Sequence, residues 1–460
     1  MGKLNPLWTM VVCIVLPFIA EGQYTSIPDP NFEQALIDLG IDSDGQLNGS
    51  VATDDISSVT TLDVSSRDIQ NLSGIQDFAQ LESLSCGDNR IQNLSVRDNL
   101  ELRFLRISRN LIGEINLSDN IKLEQLYVDD NQLGTLNVRS NPNLKVLDCS
   151  SNFLQMINVT DSFRLEHLDF SSNNISEIDL FENPYLAYLD ISENPLTSII
   201  LFNLIRLKEF HAEGNDLLTR IDFDQTHALE YISCHDNANL AVIEVRGTLA
   251  LKYLNCRNNQ LTELDLSQNV LIENLYCGGN QISSLDLSPN EKLAFVHCEQ
   301  NLLQELNLKN GHNFLMTGGQ TEYEGETIYM EGLDSRDNPD LQCIEVDNAT
   351  DAMAGTPPYD SWLIDDSVSY SEDCESPLDV PDYDLDRSVR LFPNPVEDRM
   401  HIECSSQLIR RIEVFTVLGN EVIKANSNFD DLEVTNLEPG IYYVRVTLDT
   451  ASVVKTLIKS

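Results

Sequence analysis

Apolar and polar residues keep one register along most of the chain. Apolar side chains occupy alternate positions before an asparagine and resume two residues after it. One copy of the pattern reads Leu81-x-x-Leu84-x-Cys86-x-x-Asn89-x-Ile91-x-x-Leu94-x-Val96-x-x-Asn99. Alternation of this kind predicts short strands that turn their apolar side chains inward.

The asparagine returns every 21 residues, or every 22 where one residue is inserted after it. It stands at Asn89, Asn110, Asn131, Asn152, Asn173, Asn194, Asn215, Asn237, Asn259, Asn280 and Asn301. A fixed period predicts a solenoid, because stacked turns bury an apolar face that one turn cannot bury alone. A second asparagine, as at Asn99 and Asn120, predicts two short strands and two turns in each coil.

A solenoid needs caps, since its end turns would otherwise expose the core. Residues 27–39 have the pattern of an amphipathic helix that starts near Asp29 or Asn31. Short alternating strands separated by turns mark the end of the chain. We therefore predict a mainly β protein with an N-terminal helical cap at 23–61, the solenoid at 62–347, a C-terminal cap at 348–374, an acidic linker at 375–388 and a small β-sandwich at 389–460.

The repeat resembles the leucine-rich repeats, specifically their 21-residue nested subclass, sometimes called IRREKO repeats. Residues 275–290, Leu-Tyr-Cys-Gly-Gly-Asn-Gln-Ile-Ser-Ser-Leu-Asp-Leu-Ser-Pro-Asn, are close to that consensus. Such families often end in a Cys-Ile-x-Val-Asp segment, a tryptophan and a second cysteine. Cys343, Trp362 and Cys374 match these positions, so the resemblance implies a disulfide between Cys343 and Cys374 that clamps the C-terminal cap.

Six further cysteines share one repeat position, three residues before the asparagine. They are Cys86, Cys149, Cys234, Cys256, Cys277 and Cys298. Other coils hold an apolar residue there, which predicts buried free thiols acting as small apolar side chains. Disulfides between turns and a thiolate metal site are the alternatives, although a single inward column gives none of the usual metal spacings.

The first 22 residues have the features of a secretory signal peptide. Lys3 precedes an apolar run, and a small-residue exit predicts cleavage between Gly22 and Gln23. The run is short for a membrane span, which needs about 20 apolar residues. No other segment has the length and apolar character to cross a bilayer, so we predict an exported protein without a transmembrane segment.

The tail carries a second resemblance, to the sorting domains of type IX secretion. Its motif residues are Pro393, Asn394 and Pro395, then Gly419, Gly440 and Lys459. The resemblance implies an Ig-like sandwich that the outer-membrane translocon recognises through residues 389–460. It also implies a Gram-negative source, passage across both membranes, and display on the cell surface or release.

The formal net charge is −45. Most of it belongs to the first 363 residues, because the stretch 364–388 holds nine acids and one base and the tail is nearly balanced. Such a surface repels nucleic acid and anionic membranes. Basic partners and divalent cations remain open, as does an acidic surface that serves solubility alone.

Outward positions of the concave strands are the expected place for ligand binding in a solenoid. The candidate binding residues are Phe104, Tyr127, His167, Tyr188, His211, Tyr231, His235, Tyr253, Tyr276, Phe295 and His297. Aromatic side chains supply contact area for a protein or a sugar ring. They also favour strands and stabilise sheets without a ligand. We place binding mainly in the patch Tyr231, Tyr253, Tyr276 and Phe295.

Asp148, Asp169 and Asp190 occupy one outward position on three successive coils. Strands lie about 4.8 Å apart, so three like charges repel one another unless solvent, a cation or a basic partner relieves them. This column is our candidate for a cation or a basic partner, with calcium as a possible ion and a solvated face as the alternative. No other cofactor is expected.

These observations predict a non-enzymatic recognition or adhesion protein that binds a protein or glycan partner. The alternative is a passive surface spacer or coat without a specific ligand. The catalytic motifs of hydrolases, metalloproteases and phosphate-binding enzymes are absent from the sequence. His211, Glu213 and His235 are the nearest approach to a catalytic cluster, and we interpret them as surface residues.

Overall fold

The computed structural model describes residues 23–323, 326–374, 389–404, 409–417, 420–425, 432–448 and 452–460. The chain divides into two compact units, Met1–Cys374 and Glu375–Ser460. The predicted signal peptide with Gly22, the acidic linker and Gly419 lie outside the described residues.

A parallel sheet of 13 strands runs through the first unit, with one strand from each coil. The strands are Thr61–Asp63, Ser83–Ser85, Phe104–Arg106, Gln125–Tyr127, Val146–Asp148, His167–Asp169, Tyr188–Asp190, Glu209–His211, Tyr231–Ser233, Tyr253–Asn255, Asn274–Tyr276, Phe295–His297 and Leu333–Asp334. We call this the long sheet. It confirms the predicted mainly β solenoid of leucine-rich-repeat type.

Each three-residue strand buries its central side chain and turns the two flanking side chains outward. Leu168 and Leu189, for example, are fully buried and lie in register on neighbouring strands. A fully buried leucine stabilises the fold by roughly 1.5–3 kcal/mol. The six predicted core cysteines are buried free thiols, as expected, and burial raises the pKa of each.

The repeated asparagine holds neighbouring coils together through its side-chain amide. The Asn173 Nδ2 donates to the carbonyls of Cys149, Phe170 and Ser171, each at 3.0 Å. Its Oδ1 accepts from the backbone N–H of Leu154 at 2.9 Å. One buried side chain thus pairs backbone groups of two coils, which buried polar groups require.

The residue before each of these asparagines has a left-handed backbone conformation. Ser172 has φ 52°, and glycine takes the position at Gly214 and Gly279. This conformation costs a non-glycine residue roughly 1–2 kcal/mol, and the amide bonds around the turn offset that cost.

The second strand of each coil is less regular than the sequence predicts. It pairs only in parts of the described solenoid, as two two-stranded sheets and one four-stranded sheet. The strands are Leu136–Asn137 with Ile157–Asn158, Arg220–Asp222 with Val242–Glu244, and Ser284–Asp286, Glu305–Asn307, Cys343–Glu345 and Ser369–Ser371. The prediction of two strands in every coil was therefore wrong. Where the second segments do not pair, the second asparagine links the coils, as where Asn120 Nδ2 donates to the carbonyls of Val96 and Asn99.

The N-terminal end is closed by the predicted helix, Pro30–Asp38. One carboxylate fixes it, because Asp29 Oδ1 accepts from the first-turn N–H groups while Oδ2 accepts from the N–H groups of Gln70 and Asn71 at 2.7 and 2.9 Å. An antiparallel pair, a short helix and a 3-10 turn complete this end. They are Tyr24–Ser26 with Ser50–Ala52, Thr53–Ile56 and Ile75–Asp77.

At the other end, Cys343 and Cys374 form the predicted disulfide. The Trp362 indole donates to the carbonyl of Met316 at 2.9 Å and packs on the solenoid core. The remaining elements here are the 3-10 turns Asn313–Leu315 and Tyr359–Ser361, the helix Ala349–Met353 and the antiparallel hairpin Gly319–Tyr323 with Glu326–Met330.

The second unit contains two antiparallel sheets around its own core, which includes Met400, Val414 and Val444. The first has strands Val389–Phe392, Arg399–Cys404 and Leu432–Glu433, and the second has Glu421–Ala425, Arg411–Thr416, Gly440–Thr447 and Ser452–Lys459. This arrangement agrees with a small β domain.

Replacing Asn173 by alanine should lower the free energy of unfolding of the solenoid by about 3 kcal/mol, since buried backbone groups lose their partners. Urea unfolding followed by circular dichroism measures this. The exposed neighbour gives a matched control, and Asn174→Ala should change the same quantity by less than about 0.5 kcal/mol. Equal losses in the two variants would contradict the role assigned to the amide.

Candidate functional site

The outer face of the long sheet carries a continuous row of rings. The first and third residues of each strand both face outward, and parallel register places equivalent residues about 4.8 Å apart, which is stacking distance. Rings follow one another on seven successive strands. The ring row consists of His167, Tyr188, His211, Tyr231, Tyr253, Tyr276 and His297.

Two contacts in the ring row are parallel stacks. The His167 and Tyr188 ring centroids lie 4.1 Å apart, and those of Tyr231 and Tyr253 lie 4.3 Å apart at an interplanar angle of 5°. The other four contacts are tilted or edge-on, at 5.1–5.5 Å. The rings are half-buried, apart from the buried His297, so their outer edges form a nearly continuous aromatic surface.

The remaining candidate rings lie elsewhere. Phe104 and Tyr127 form a separate pair at 5.6 Å, with the Arg106 guanidinium over the tyrosine ring. His235 follows its strand, in the adjoining turn, and its Nδ1 lies 2.6 Å from a carboxylate oxygen of Asp236.

Phe295 makes no ring contact with another described residue, although we grouped it with Tyr231, Tyr253 and Tyr276. It lies in register with Asn274, whereas Tyr276 lies in register with His297 and contacts that ring. The patch therefore continues from Tyr276 into His297.

A charged cluster occupies the middle of the ring row. His211 Nε2 lies 3.0 Å from Glu209 Oε1, and His211 Nδ1 lies 3.5 Å from Glu213 Oε1. Burial lowers the pKa of His211, but its hydrogen bonds to Glu213 and Glu209 outweigh burial and raise that pKa to about 9. Burial also opposes ionisation of Glu213, yet its hydrogen bonds, first with His211, lower the pKa of Glu213 to about 2.

The predicted cluster of His211, Glu213 and His235 is therefore present, since His235 Nε2 lies 3.8 Å from Glu213 Oε1. Glu209 completes it and was missed. The sequence could have predicted it, because Glu209 occupies the first outward position of the same strand as His211.

Asp148, Asp169 and Asp190 lie in register on three adjacent strands, beside the first rings of the row. Burial, and then repulsion from Asp190, raises the pKa of Asp169 to about 7. Burial likewise raises the pKa of Asp148. Ser150 and Ser171 donate hydroxyl hydrogen bonds to these two carboxylates at 2.7 Å. Within the described parts of the chain, no group of three or more histidine, cysteine, aspartate or glutamate side chains is placed to hold a metal ion.

Near the C-terminal end of the row, Arg257 connects the rings to an acid. Its guanidinium lies 5.3 Å from the Tyr276 ring centroid and pairs with Glu299 and the His297 ring. The sequence analysis did not identify Arg257, because it considered the outward strand positions and Arg257 lies two residues after its strand, Tyr253–Asn255.

Residues 390–460 match the protein family described as the secretion system C-terminal sorting domain. The tail of this chain is a secretion system sorting domain. It indicates type IX secretion, so the protein is delivered to the cell surface or secreted. No helix among the described residues combines the length and the apolar character needed to cross a membrane.

Solved structures of bacterial repeat proteins resemble the chain at low identity. The functional domain of InlJ from Listeria monocytogenes, which includes a cysteine ladder, is 18% identical with a TM-score of 0.44, over 95% of this chain and 99% of that one. The internalin InlF from Listeria monocytogenes is 19% identical with a TM-score of 0.49, over 60% and 90%. YopM from Yersinia enterocolitica is 26% identical with a TM-score of 0.39, over 49% and 48%. The comparison with curated proteins found no match.

In the sorting domain, motif segments that are distant in sequence meet. The Asn394 amide donates to the Thr456 carbonyl and accepts from the Ile458 N–H, both at 2.8 Å. Gly440 and Lys459 are register partners on neighbouring strands. The Pro393-Asn394-Pro395 segment is thus fastened to the last strand of the domain.

His211 and His167, on either side of Tyr188 in the ring row, should have widely separated pKa values. His211 should lose its proton near pH 9, whereas burial lowers the pKa of His167 below its usual 6.5. Because the pKa of His211 is raised on folding, the stability it contributes is present in full below pH 6.5 and is lost as the pH rises through about 9. Histidine NMR titration measures both values.

Glu213→Gln provides the control for this titration. It removes a carboxylate that raises the pKa of His211, so that pKa should fall while His167 is little changed. An unshifted His211 titration in this variant would exclude Glu213 as a cause.

Proposed function

We propose that the solenoid is a non-enzymatic recognition module, delivered by type IX secretion, that binds a protein or glycan partner on the outer face of the long sheet. The ring row carries this proposal. Seven rings on successive strands, six of them half-exposed, provide a long, preformed contact surface. Their side chains are already held by ring contacts, so little side-chain entropy is lost on binding.

The chemistry of the ring row suits both partner classes. Tyrosine combines a flat apolar face with a hydroxyl, which fits either an apolar side chain or the face of a sugar ring. Glu209, Asp190 and Arg257 border the rings and supply polar groups that would orient a ligand. Large rings surrounded by polar groups are typical of binding hot spots.

The acidic column extends this surface towards basic ligands. Asp148, Asp169 and Asp190 crowd three carboxylates onto adjacent strands, and a cationic group placed against them would relieve their repulsion. We propose that the column receives a lysine or arginine of a protein partner.

An enzymatic role has less support. Both histidines of the cluster are held by carboxylates, and a pKa of about 9 keeps His211 protonated near neutral pH. A protonated histidine does not serve as a general base at that pH. The passive spacer remains the competing proposal, because stacked rings also stabilise a sheet without a ligand.

The double variant Tyr231→Ala with Tyr253→Ala should lower affinity for the partner by at least roughly tenfold, because a stacked ring pair is lost from the contact surface. Partners are sought on glycan and protein arrays, with and without calcium, and affinities are then measured by calorimetry. Phe153→Ala is the control, since this ring is 60% exposed but lies outside the long sheet. Silence on both arrays would favour the passive spacer.

Affinity for a basic peptide such as hexalysine should rise between pH 6 and pH 8, because the pKa of Asp169 is about 7 and the deprotonated carboxylate attracts cations. Asp169→Asn should remove this rise. Asp179→Asn, at an exposed acid outside the long sheet, should keep it. A pH dependence that survives in Asp169→Asn would reject the column as the binding site.

A further inference from the structure

The second turns of the coils form one edge of the solenoid, away from the ring row. Each turn consists of five residues between two buried apolar positions. The ten turns are residues 97–101, 118–122, 139–143, 160–164, 181–185, 202–206, 224–228, 246–250, 267–271 and 288–292. We call this surface the second-turn edge.

An exposed apolar column runs along the second-turn edge. The fourth residue of most turns is apolar, and in six of them it is a large side chain that is 48–59% exposed. These six are Leu100, Ile121, Phe163, Ile205, Leu249 and Val270. Scattered apolar residues are normal on a protein surface, but a column repeated from coil to coil is not.

The column widens in the middle of the edge. Phe181 and Phe202 occupy the first position of adjacent turns and are 57% and 58% exposed. The two turns are in direct contact, since Asn203 Nδ2 donates to the Phe181 carbonyl at 3.1 Å. Tyr185, 46% exposed, ends the turn that Phe181 begins, and the Arg206 guanidinium of the next turn lies 4.6 Å from its ring centroid. These three exposed aromatic side chains lie on two adjacent turns near the middle of the edge, and we call them the aromatic patch.

The second-turn edge is also electrically neutral. Its ten turns hold seven basic and seven acidic residues, in a chain whose net charge is −45. Several bases are paired along the edge, as in Arg97 with Asp119 and Arg139 with Asp161. Two copies of this chain repel each other over most of their surface, whereas contact along this edge brings no net charge together.

We infer that the second-turn edge is a self-association surface, on which a second copy of the chain packs side by side. A two-fold axis through the Phe181 and Phe202 patch would lay the two apolar columns against each other in antiparallel directions. Both columns have the same coil spacing, about 4.8 Å, so their side chains stay in step along the contact.

The exposed area suits a dimer. Nine large apolar side chains, each exposing on the order of 100 Å², present about 900 Å² per copy, close to the roughly 800 Å² that a standard interface buries on each partner. Neutrality argues for a second copy over a basic protein, which the acidic remainder of the molecule would attract elsewhere. This inference is independent of the ring row.

Sedimentation velocity of the full chain over a range of micromolar concentrations tests the inference. We expect a monomer–dimer equilibrium that added salt strengthens, because salt screens the repulsion between two acidic molecules. Phe181→Ser with Phe202→Ser should weaken the dimer by at least roughly tenfold, since both rings sit at its centre. Phe153→Ser with Met156→Ser is the control, as these side chains are 60% and 67% exposed but lie outside the edge.

A wild-type chain that stays monomeric throughout would overturn the inference, and co-sedimentation of that monomer with lipid vesicles would assign the edge to a membrane surface instead. A dimer that resists the Phe181 and Phe202 changes, in a variant whose circular dichroism is unchanged, would also overturn it, because pairing would then use another surface.

Discussion

The buried asparagine amide is the interaction on which the rest of the solenoid depends. A coil that turns sharply leaves backbone carbonyl and N–H groups inside, where an unpaired group costs roughly 1–3 kcal/mol. Most of the repeated asparagines donate to carbonyls of their own coil and of the coil before, and accept from a backbone N–H as well, as Asn173 does. Because asparagine carries both donors and an acceptor on one short side chain, no apolar residue can replace it there.

These hydrogen bonds keep successive coils in register. Residues at the same repeat position therefore lie above one another and form a column. The core thiols, the ring row, the three aspartates and the apolar second-turn edge are all columns of this kind. The properties of each column depend on which side chains lie next to each other on neighbouring coils. Rings at the coil spacing stack favourably, as Tyr231 and Tyr253 do, whereas carboxylates at the same spacing repel, which contributes to the raised pKa of Asp169.

Two histidines on the outer face of the long sheet have pKa values shifted in opposite directions. His211 lies between two carboxylates of its own strand and turn and holds its proton to about pH 9. Burial dominates at His167, two strands away, and lowers its pKa. The outer face of the long sheet therefore combines the protonated His211, the ionised Glu213 and the edges of aromatic rings. The second-turn edge instead combines balanced charge with apolar side chains. Two surfaces of such different character suit two different contacts.

The sequence by itself determined the period, and with it the solenoid, the inward cysteines and the outward candidate positions, because a strict repeat leaves few ways to bury its apolar residues. The sorting domain and the Cys343–Cys374 disulfide were predicted from the sequence too, through motifs that resemble known families. Only the tertiary structure decided which outward rings touch, since the first and third residues of a strand both face out and their partners depend on neighbouring coils. In the tertiary structure the Tyr276 ring contacts His297 rather than Phe295. Several coils of the described solenoid have no paired second strand. The hydrogen bonds with Glu213 and Glu209 raise the pKa of His211. Contacts of this kind depend on distance and burial across coils, which a repeat pattern does not specify.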